Sequence, residues 1–176
     1  MRNLDATAHY RNLVALGRDQ FLAAAAPAAL VRYRPGDPDL AEGASMLTLD
    51  SDGETIEETM PVLREPARVD DDGLEVYPLT KKPGASFPDR ITIGRTSNND
   101  VVIVDHSVSR FHAYVRQDKG VWLVADAGSK NGSWLDSGAL EPRKERTLRS
   151  RSTVRIGDVD LTFFVASDLF AAMGGQ

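Results

Sequence analysis

Polar and charged residues crowd into the stretch from Val104 to Val115, whose sequence is VDHSVSRFHAYV. Ser109, Arg110 and His112 lie almost side by side within it. Such a group could form a hydrolytic active site, an anion-binding loop, or a polar loop that leads into a strand. The three alternatives differ in the other residues that each of them needs.

A hydrolase would need a nucleophile, a base and a carboxylate that orients the base. The chain offers candidates for these roles: Ser107 or Ser109, His106 or His112, and Asp105 or Asp126. These residue types are common in chains of this size, and the strand–G-x-S-x-G–helix arrangement of hydrolases is absent. We therefore expect no catalytic residue and no enzyme activity.

The sequence also argues against a metal centre. It holds three scattered histidines and no cysteine, and it contains neither an H-E-x-x-H motif nor a D-x-D-x-D-G calcium loop. The lack of cysteine excludes disulfides and thiolate ligands, and it fits a reducing compartment. We expect no metal, no cofactor and a cytoplasmic location.

An anion-binding site uses the same loops more economically. A phosphate dianion is bound well by a permanently charged planar guanidinium, by hydroxyls and by free backbone N–H groups. Arg95 follows a glycine at the end of a short apolar run, and Ser109 with Arg110 supplies a hydroxyl and a second cation. Asn131 carries an amide that could pair with the backbone of a bound peptide.

Each of these residues also has a purely structural interpretation. Gly94 and Arg95 could form a turn with a solvated arginine, and Asn131-Gly132 is typical of a type I′ hairpin turn. We expect His112 to hold its loop by hydrogen bonding rather than to contact a ligand.

Composition and charge limit the other functions. The 176 residues are 41% hydrophobic and 27% charged, as in ordinary soluble globular proteins. The longest apolar run, Phe21 to Val31, is too short to span a bilayer, and the residues around it do not resemble a secretion signal. The net charge of −5 argues against general nucleic-acid binding. We expect neither a nucleic-acid nor a membrane partner; the oligomeric state stays open.

The charges are unevenly distributed. From Asp37 to Glu75 there are thirteen acidic residues and two basic ones, whereas Glu141 to Arg155 holds six basic residues and two acidic ones. Both segments could be solvated surfaces. Alternatively, they could contact each other, or the basic segment could attract an acidic partner.

The periodicity of apolar residues changes along the chain. A helical stripe begins the sequence: Tyr10, Leu13, Val14, Gly17 and Phe21. Pro27 should end this helix or start a second one. We therefore predict a helical extension at residues 1–40 that packs on the following domain or on another subunit. The stretch RPGDPD, residues 34–39, is typical of a turn or linker.

Residues 41–73 are predicted to form an acidic connecting segment with possible extra strands such as SMLTLD, and residues 74–170 a β domain. The predicted strands are short, rich in β-branched residues and bounded by turn residues: LEVYPL, RITIGR, DVVIV, FHAYVR, VWLVAD, GSWLD, STVRIG and VDLTFFVA. In FHAYV, we expect Phe111, Ala113 and Val115 on one face and His112 with Tyr114 on the other. SDLFAAM could form a short helical turn. The predicted fold is mainly β, an antiparallel β-sandwich preceded by an N-terminal α-helical segment.

The order and spacing of the loop residues resemble the forkhead-associated (FHA) domain, in the form found in bacterial proteins. The elements are Gly94-Arg95, Asn99-Asp100, Ser109-Arg110-Phe111-His112 and Asn131-Gly132. The resemblance covers about residues 74 to 165 and implies an FHA/SMAD-like β-sandwich that binds phosphothreonine peptides.

By this resemblance, Arg95 and Ser109 would bind the phosphate, with Arg110 beside them, and Asn131 would pair with the peptide backbone. Three further residues would shape the loops: Gly94, His112 and Gly132. Lys130 departs from the family, which often has threonine there, and it could add a point charge at the phosphate or change the choice of neighbouring peptide residue.

The implied function is non-catalytic recognition of a threonine-phosphorylated protein or peptide in Ser/Thr kinase signalling, the partner being a kinase or its substrate. An alternative keeps the fold and uses it as a phospho-independent scaffold. A further hypothesis has Thr55 or Thr59, in the acidic stretch GETIEETM, phosphorylated and bound by the chain's own loops.

Overall fold

The computed structural model describes residues 3–33 and 73–176, with side chains from residue 6 onward. The predicted turn at residues 34–39, the strand SMLTLD and nearly all of the acidic connecting segment lie outside the described residues. Thr55 and Thr59 lie there too, so the hypotheses that involve them stay predictions.

Eleven strands and three helices make up the described part of the chain. The helices are α1 (Asn3–Ala15), α2 (Arg18–Ala24) and α3 (Ala166–Ala172). The strands are β1 (Ala28–Tyr33), β2 (Leu74–Pro78), β3 (Ile91–Gly94), β4 (Val101–Val102), β5 (Ala113–Asp118), β6 (Val121–Asp126), β7 (Ser133–Leu135), β8 (Gly138–Ala139), β9 (Arg146–Leu148), β10 (Thr153–Ile156) and β11 (Val159–Val165). All eight strands predicted from residue 74 onward are confirmed, as is the short C-terminal helix.

The strands form two sheets. The larger has the order β2-β1-β11-β10-β7-β8 and the smaller β4-β3-β5-β6-β9. Neighbouring strands are antiparallel, except that β3 and β4 run parallel. The predicted mainly β, sandwich-type fold is therefore confirmed, with one parallel pair added to an otherwise antiparallel arrangement.

Alternate residues of the strands fill the space between the sheets, as the period-two pattern requires. The fully buried side chains there include Leu30, Ile93, Val124, Ile156 and Phe163. Such a core fixes the positions of the strand ends and of the loops that leave them.

Strand β1 differs from the helical prediction for the first 40 residues. It pairs with β11 on one side and with β2 on the other. Ala28 and Leu30 belong to the core between the sheets, whereas Ala29 and Val31 face the helices. A strand that is buried on both faces has a continuous apolar sequence, which periodicity alone cannot distinguish from a buried helix.

The helices cover the other face of β1 and β2. Phe21 is fully buried, and its ring centroid lies 5.7 Å from that of Tyr10 and 5.3 Å from that of Phe170 in α3. The predicted helical stripe therefore packs on the sandwich of its own chain, which decides between the two alternatives considered above. Among the described residues, we find no helix with the length and apolar character needed to cross a membrane.

Candidate functional site

Three loops meet at one edge of the sandwich, and backbone hydrogen bonds join them. The N–H of Arg95, just after β3, donates to the carbonyl of Ser109 at 3.0 Å. The N–H of His112 donates to Ile93 at 2.9 Å, and Gly132 accepts from Gly157 at 3.1 Å. The residues that the sequence singled out are therefore brought together by the two sheets.

An open cleft of about 1070 Å³ lies between these loops. Its lining includes all five residues predicted to contact phosphate or peptide: Arg95, Ser109, Arg110, Lys130 and Asn131. No carboxylate belongs to the lining of this cleft. Its surface is therefore suited to an anionic ligand.

Three cationic side chains project into the cleft without partners. Arg95, Arg110 and Lys130 are exposed, and none of them forms a side-chain hydrogen bond or ion pair with any residue that the structure describes. Arginine and lysine in structural roles are commonly paired, so three unpaired cations in one concave site indicate a place for an anion.

Ser109 presents its hydroxyl to the same cleft. The hydroxyl oxygen accepts a hydrogen bond from the backbone N–H of Lys130 at 3.0 Å. A hydroxyl has one donor and two acceptor positions. Because the protein uses an acceptor position, the O–H of Ser109 stays available to donate to a bound anion.

His112 lies beneath Ser109 and is fully buried. Its Nδ1 accepts the backbone N–H of Ser109 at 2.9 Å, so the ring proton resides on Nε2, which donates to the carbonyl of Gly132 at 2.9 Å. Burial lowers the pKa of His112, and the Gly132 carbonyl and Asp126 only partly oppose this effect. The neutral ring thus ties two of the loops together.

Asn131 divides its amide between the protein and the cleft. Its Nδ2 donates to the carbonyl of Ser107 at 2.7 Å, while its Oδ1 bonds to no described residue. Only the acceptor half of the amide is therefore directed to a ligand. The side chain is exposed, and a peptide N–H is a suitable donor for it.

Gly94 is needed because the loops approach closely. A Cβ at this position would lie 2.2 Å from the carbonyl oxygen of Arg110 and 2.7 Å from Nδ2 of Asn99. That same Nδ2 donates to Arg110 at 2.6 Å. Asn99 thereby holds the backbone of Arg110 against β3, a role that the sequence motif did not reveal.

Gly132 adopts a left-handed conformation with φ of +85°, but the hairpin interpretation of Asn131-Gly132 is wrong. A type I′ turn needs positive φ at both residues, and Asn131 has none. The flanking strands β6 and β7 also belong to different sheets. The dipeptide therefore crosses between the sheets and does not close a hairpin.

Asp126 organises this crossing, and the sequence analysis considered it only as a part of a triad. Its carboxylate accepts hydrogen bonds from four groups: the hydroxyls of Ser129 and Ser133 and the backbone N–H groups of Gly128 and Ser129. Burial raises the pKa of Asp126, but these hydrogen bonds outweigh burial and lower it overall. The signal was local, since aspartate followed by glycine and serine favours such turns.

Ser107 is likewise a structural residue. It is buried, its hydroxyl donates to Asp105 at 2.8 Å, and the same oxygen accepts the N–H of Asp158 at 2.9 Å. Across the described ranges, no serine hydroxyl is hydrogen-bonded to a histidine ring. His106 is 93% exposed and lies 3.7 Å from Asp105. The hydrolase parts are not assembled as a triad.

No group of three or more histidine, aspartate or glutamate side chains in residues 6–33 and 73–176 could hold a metal ion.

Comparison with known proteins identifies the loops as part of a recurring domain. Residues 91–157 match the family model described as the FHA domain. An FHA domain-containing protein of Arabidopsis thaliana is 33% identical over 93 residues, which are 51% of this chain and 23% of that protein. The oxoglutarate dehydrogenase inhibitor of Corynebacterium diphtheriae is 39% identical over 72 residues, covering 41% of this chain and 48% of the inhibitor. The chain thus spans at most about half of these two relatives.

Among solved structures, Mycobacterium tuberculosis EmbR in complex with a low-affinity phosphopeptide aligns with 51% of this chain and 21% of its own. The sequence identity is 29% and the TM-score is 0.43.

Proposed function

Because the chain contains an FHA domain at residues 91–157, we propose that it is a non-catalytic module that binds a threonine-phosphorylated segment of a partner protein. The partner is a Ser/Thr kinase or a substrate of one. Arg95 and Ser109 bind the phosphate, with Arg110 and Lys130 beside them, and Oδ1 of Asn131 accepts a backbone N–H of the peptide.

One observation carries this proposal: three unpaired cations and a free hydroxyl donor share a cleft whose lining holds no carboxylate. A phosphate group brings about −1.5 to −2 charges and three strong acceptor oxygens, which match this set of donors. Arg95 supplies the planar fork that suits two phosphate oxygens at once.

Discrimination against the unmodified peptide follows from the same chemistry. Hydrogen bonds to charged groups contribute roughly 1.5–3 kcal/mol each. Losing two of them on dephosphorylation would weaken binding by about two to four orders of magnitude. The unmodified threonine would also leave the cations of the cleft without a counter-charge.

Lys130 has a different part from the arginines. Its backbone N–H orients the Ser109 hydroxyl, whereas its side chain is a flexible point charge in the cleft. We expect Lys130→Thr, which restores the residue common in the family, to keep phosphate binding. The loss of one cation should make the affinity less dependent on salt concentration.

The comparisons support a role that acts through binding. The Corynebacterium diphtheriae relative is named an inhibitor of oxoglutarate dehydrogenase, and the matched region of this chain includes the cleft residues. A module that recognises a phosphorylated partner, without chemistry of its own, fits such a regulatory role.

The proposal is tested with a phosphothreonine peptide array, followed by fluorescence anisotropy on the best peptide and its unphosphorylated form. Arg95→Ala should abolish measurable binding. Arg149→Ala is the matched control, because Arg149 is exposed and does not line the cleft, and it should bind like the wild type.

Two outcomes would contradict the proposal. Ordinary affinity in the Arg95→Ala variant would remove the assigned site. Undiminished capture of a cellular partner after phosphatase treatment would favour a phospho-independent scaffold instead.

A further inference from the structure

Two exposed aromatic side chains stack at the edge of the cleft. Phe87 is 41% exposed and Phe111 37% exposed, and their ring centroids are 5.8 Å apart with an interplanar angle of 21°. Phe111 itself lines the cleft beside Arg110. Large apolar side chains that stay accessible next to a charged site are typical of a binding surface.

The loop that carries Phe87 lies outside the region matched by the FHA model, which begins at residue 91. It is nevertheless firmly attached to the site. Nζ of Lys81 donates to the carbonyl of Arg90 and to Asp100, both at 2.6 Å, and so joins the two ends of the loop. Lys82 Nζ donates to the carbonyl of Asn99 at 2.6 Å.

Arg90 fixes the aromatic rings from the end of the same loop. Its guanidinium lies 5.5 Å from the ring centroid of Phe87 and 4.6 Å from that of Tyr114. Two hydrogen bonds from Nη2 and Nε to Asp89, at 2.7 and 3.1 Å, orient the guanidinium. The aromatic pair is therefore preorganised, which reduces the entropy lost when a ligand binds.

We propose that Phe87 and Phe111 form an apolar subsite that continues the phosphate cleft and takes an aliphatic or aromatic side chain of the bound phosphopeptide. This inference rests on the proposed function. Phe111 directly follows Arg110, and an extended peptide advances about 3.4 Å per residue. A side chain about one to three residues from the phosphothreonine therefore reaches the rings.

The occupant follows from the continuity of the two surfaces. A peptide anchored at Arg110 must pass close to Phe111, because the same residue lines the cleft and stacks on Phe87. An apolar side chain buries surface on the rings, whereas an aspartate or serine there gains little and loses hydration. The subsite thus selects among phosphopeptides that the cationic cleft binds equally well.

The test uses the full chain and phosphothreonine peptides with Leu, Phe, Ser or Asp placed in turn at each flanking position. For the wild type, we expect Leu or Phe to bind about tenfold more tightly than Ser or Asp at one position. Phe87→Ala should remove this preference and retain the affinity for the Ser and Asp peptides. Leu22→Ala is the control, since Leu22 is 39% exposed and lies on α2, outside the cleft lining.

The outcomes separate the two proposals. If Arg95→Ala abolishes binding but Phe87→Ala keeps the apolar preference, the subsite is refuted and phosphopeptide recognition stands. The absence of any apolar preference in the wild type has the same meaning. If the wild type binds no phosphothreonine peptide, both proposals are refuted. Thermal unfolding of Phe87→Ala, expected to resemble the wild type because Phe87 is largely exposed, checks that the fold is intact.

Discussion

The backbone N–H of Ser109 donates a hydrogen bond to Nδ1 of His112, at 2.9 Å. The histidine therefore supports the phosphate-binding loop from below, while its Nε2 reaches Gly132 in the next loop. One buried ring fixes both the hydroxyl residue that we expect at the phosphate and the glycine next to Asn131. The stability of the fold and the geometry of the cleft thus depend on the same two hydrogen bonds.

Replacing the buried ring tests this dependence. A His112→Gln side chain can still donate to Gly132, but it leaves the N–H of Ser109 without an acceptor and leaves a small cavity. We expect the free energy of unfolding to fall by about 2–4 kcal/mol in urea denaturation. His106→Gln is the control, because the His106 side chain is 93% exposed and should change stability by less than about 0.5 kcal/mol. Equal effects of the two substitutions would contradict the assigned role.

The tautomer of His112 predicts a pH dependence. Protonation would place a hydrogen on Nδ1 against the N–H of Ser109, and burial accordingly lowers the pKa of His112 below its ordinary value of 6.5. Above pH 6.5 the ring is neutral in the folded and the unfolded chain. As the pH falls from 6.5 through the lower pKa of the folded state, the unfolded chain binds the proton first, so stability is lost.

Urea denaturation between about pH 8 and pH 5 measures this loss. The slope should be smaller in His112→Gln, and an identical slope would contradict the prediction. The carboxylates do not interfere. The pKa values of Asp100, Asp105 and Asp126 all lie below 3.8, so their contribution to stability is lost only at lower pH. Unfolding is preferable to peptide binding as the readout, because the phosphate itself has a second pKa of about 6.

The close approach at Gly94 predicts that even one methyl group is not tolerated there. In Gly94→Ala, the new Cβ would overlap the carbonyl of Arg110, so the loop must shift at a cost of about 1–3 kcal/mol. Because Arg110 moves with it, phosphopeptide affinity should fall as well. The control is Gly138→Ala, whose nearest atom, at 3.1 Å, is the flexible end of the Arg146 side chain. Calorimetric unfolding of both variants should show the larger loss for Gly94→Ala.

Asp100 makes a fourth prediction. Its side chain is fully buried and accepts hydrogen bonds from Lys81, from the backbone of Lys82 and from both the backbone and the hydroxyl of Thr92. Burial raises the pKa of Asp100, but these donors outweigh burial and lower it overall.

Asp100→Asn replaces one acceptor oxygen by an amide that faces donors and removes the partner of Lys81. A loss of about 2–3 kcal/mol in chemical denaturation is expected. Asp118→Asn serves as the control, since the Asp118 side chain is 52% exposed and should have almost no effect. A nearly neutral Asp100→Asn would mean that the buried charge is not needed for stability.

The strands after residue 74 were predictable because each alternates or bears β-branched residues between turn residues. Two were not: β8 and β9 are short and contain no apolar alternation. Sequence spacing was enough to indicate that Arg95, Ser109 and Asn131 share a site. The supporting contacts of Asn99 and Asp126 depend on loops that meet only in the folded chain.

Phe111 shows where periodicity stops being informative. The alternation of Ala113 and Val115 predicted that Phe111 also faces the core, but that ring is 37% exposed and stacks on Phe87. Strand β5 begins only at Ala113, so the strand period does not extend back to Phe111. The preference for Phe87 as its neighbour could not be predicted, because no pattern connects the two positions.

The position of β1 in its sheet separates the limits of sequence similarity from the limits of the folding unit. Ala28–Tyr33 lies between β2 and β11, well before the matched residues 91–157. A truncated protein that starts at residue 74 would therefore expose two bare strand edges and should associate or precipitate. Cleavage of the full chain between residues 34 and 72 would instead give a nicked protein, in which the first 33 residues stay bound as a complementing peptide.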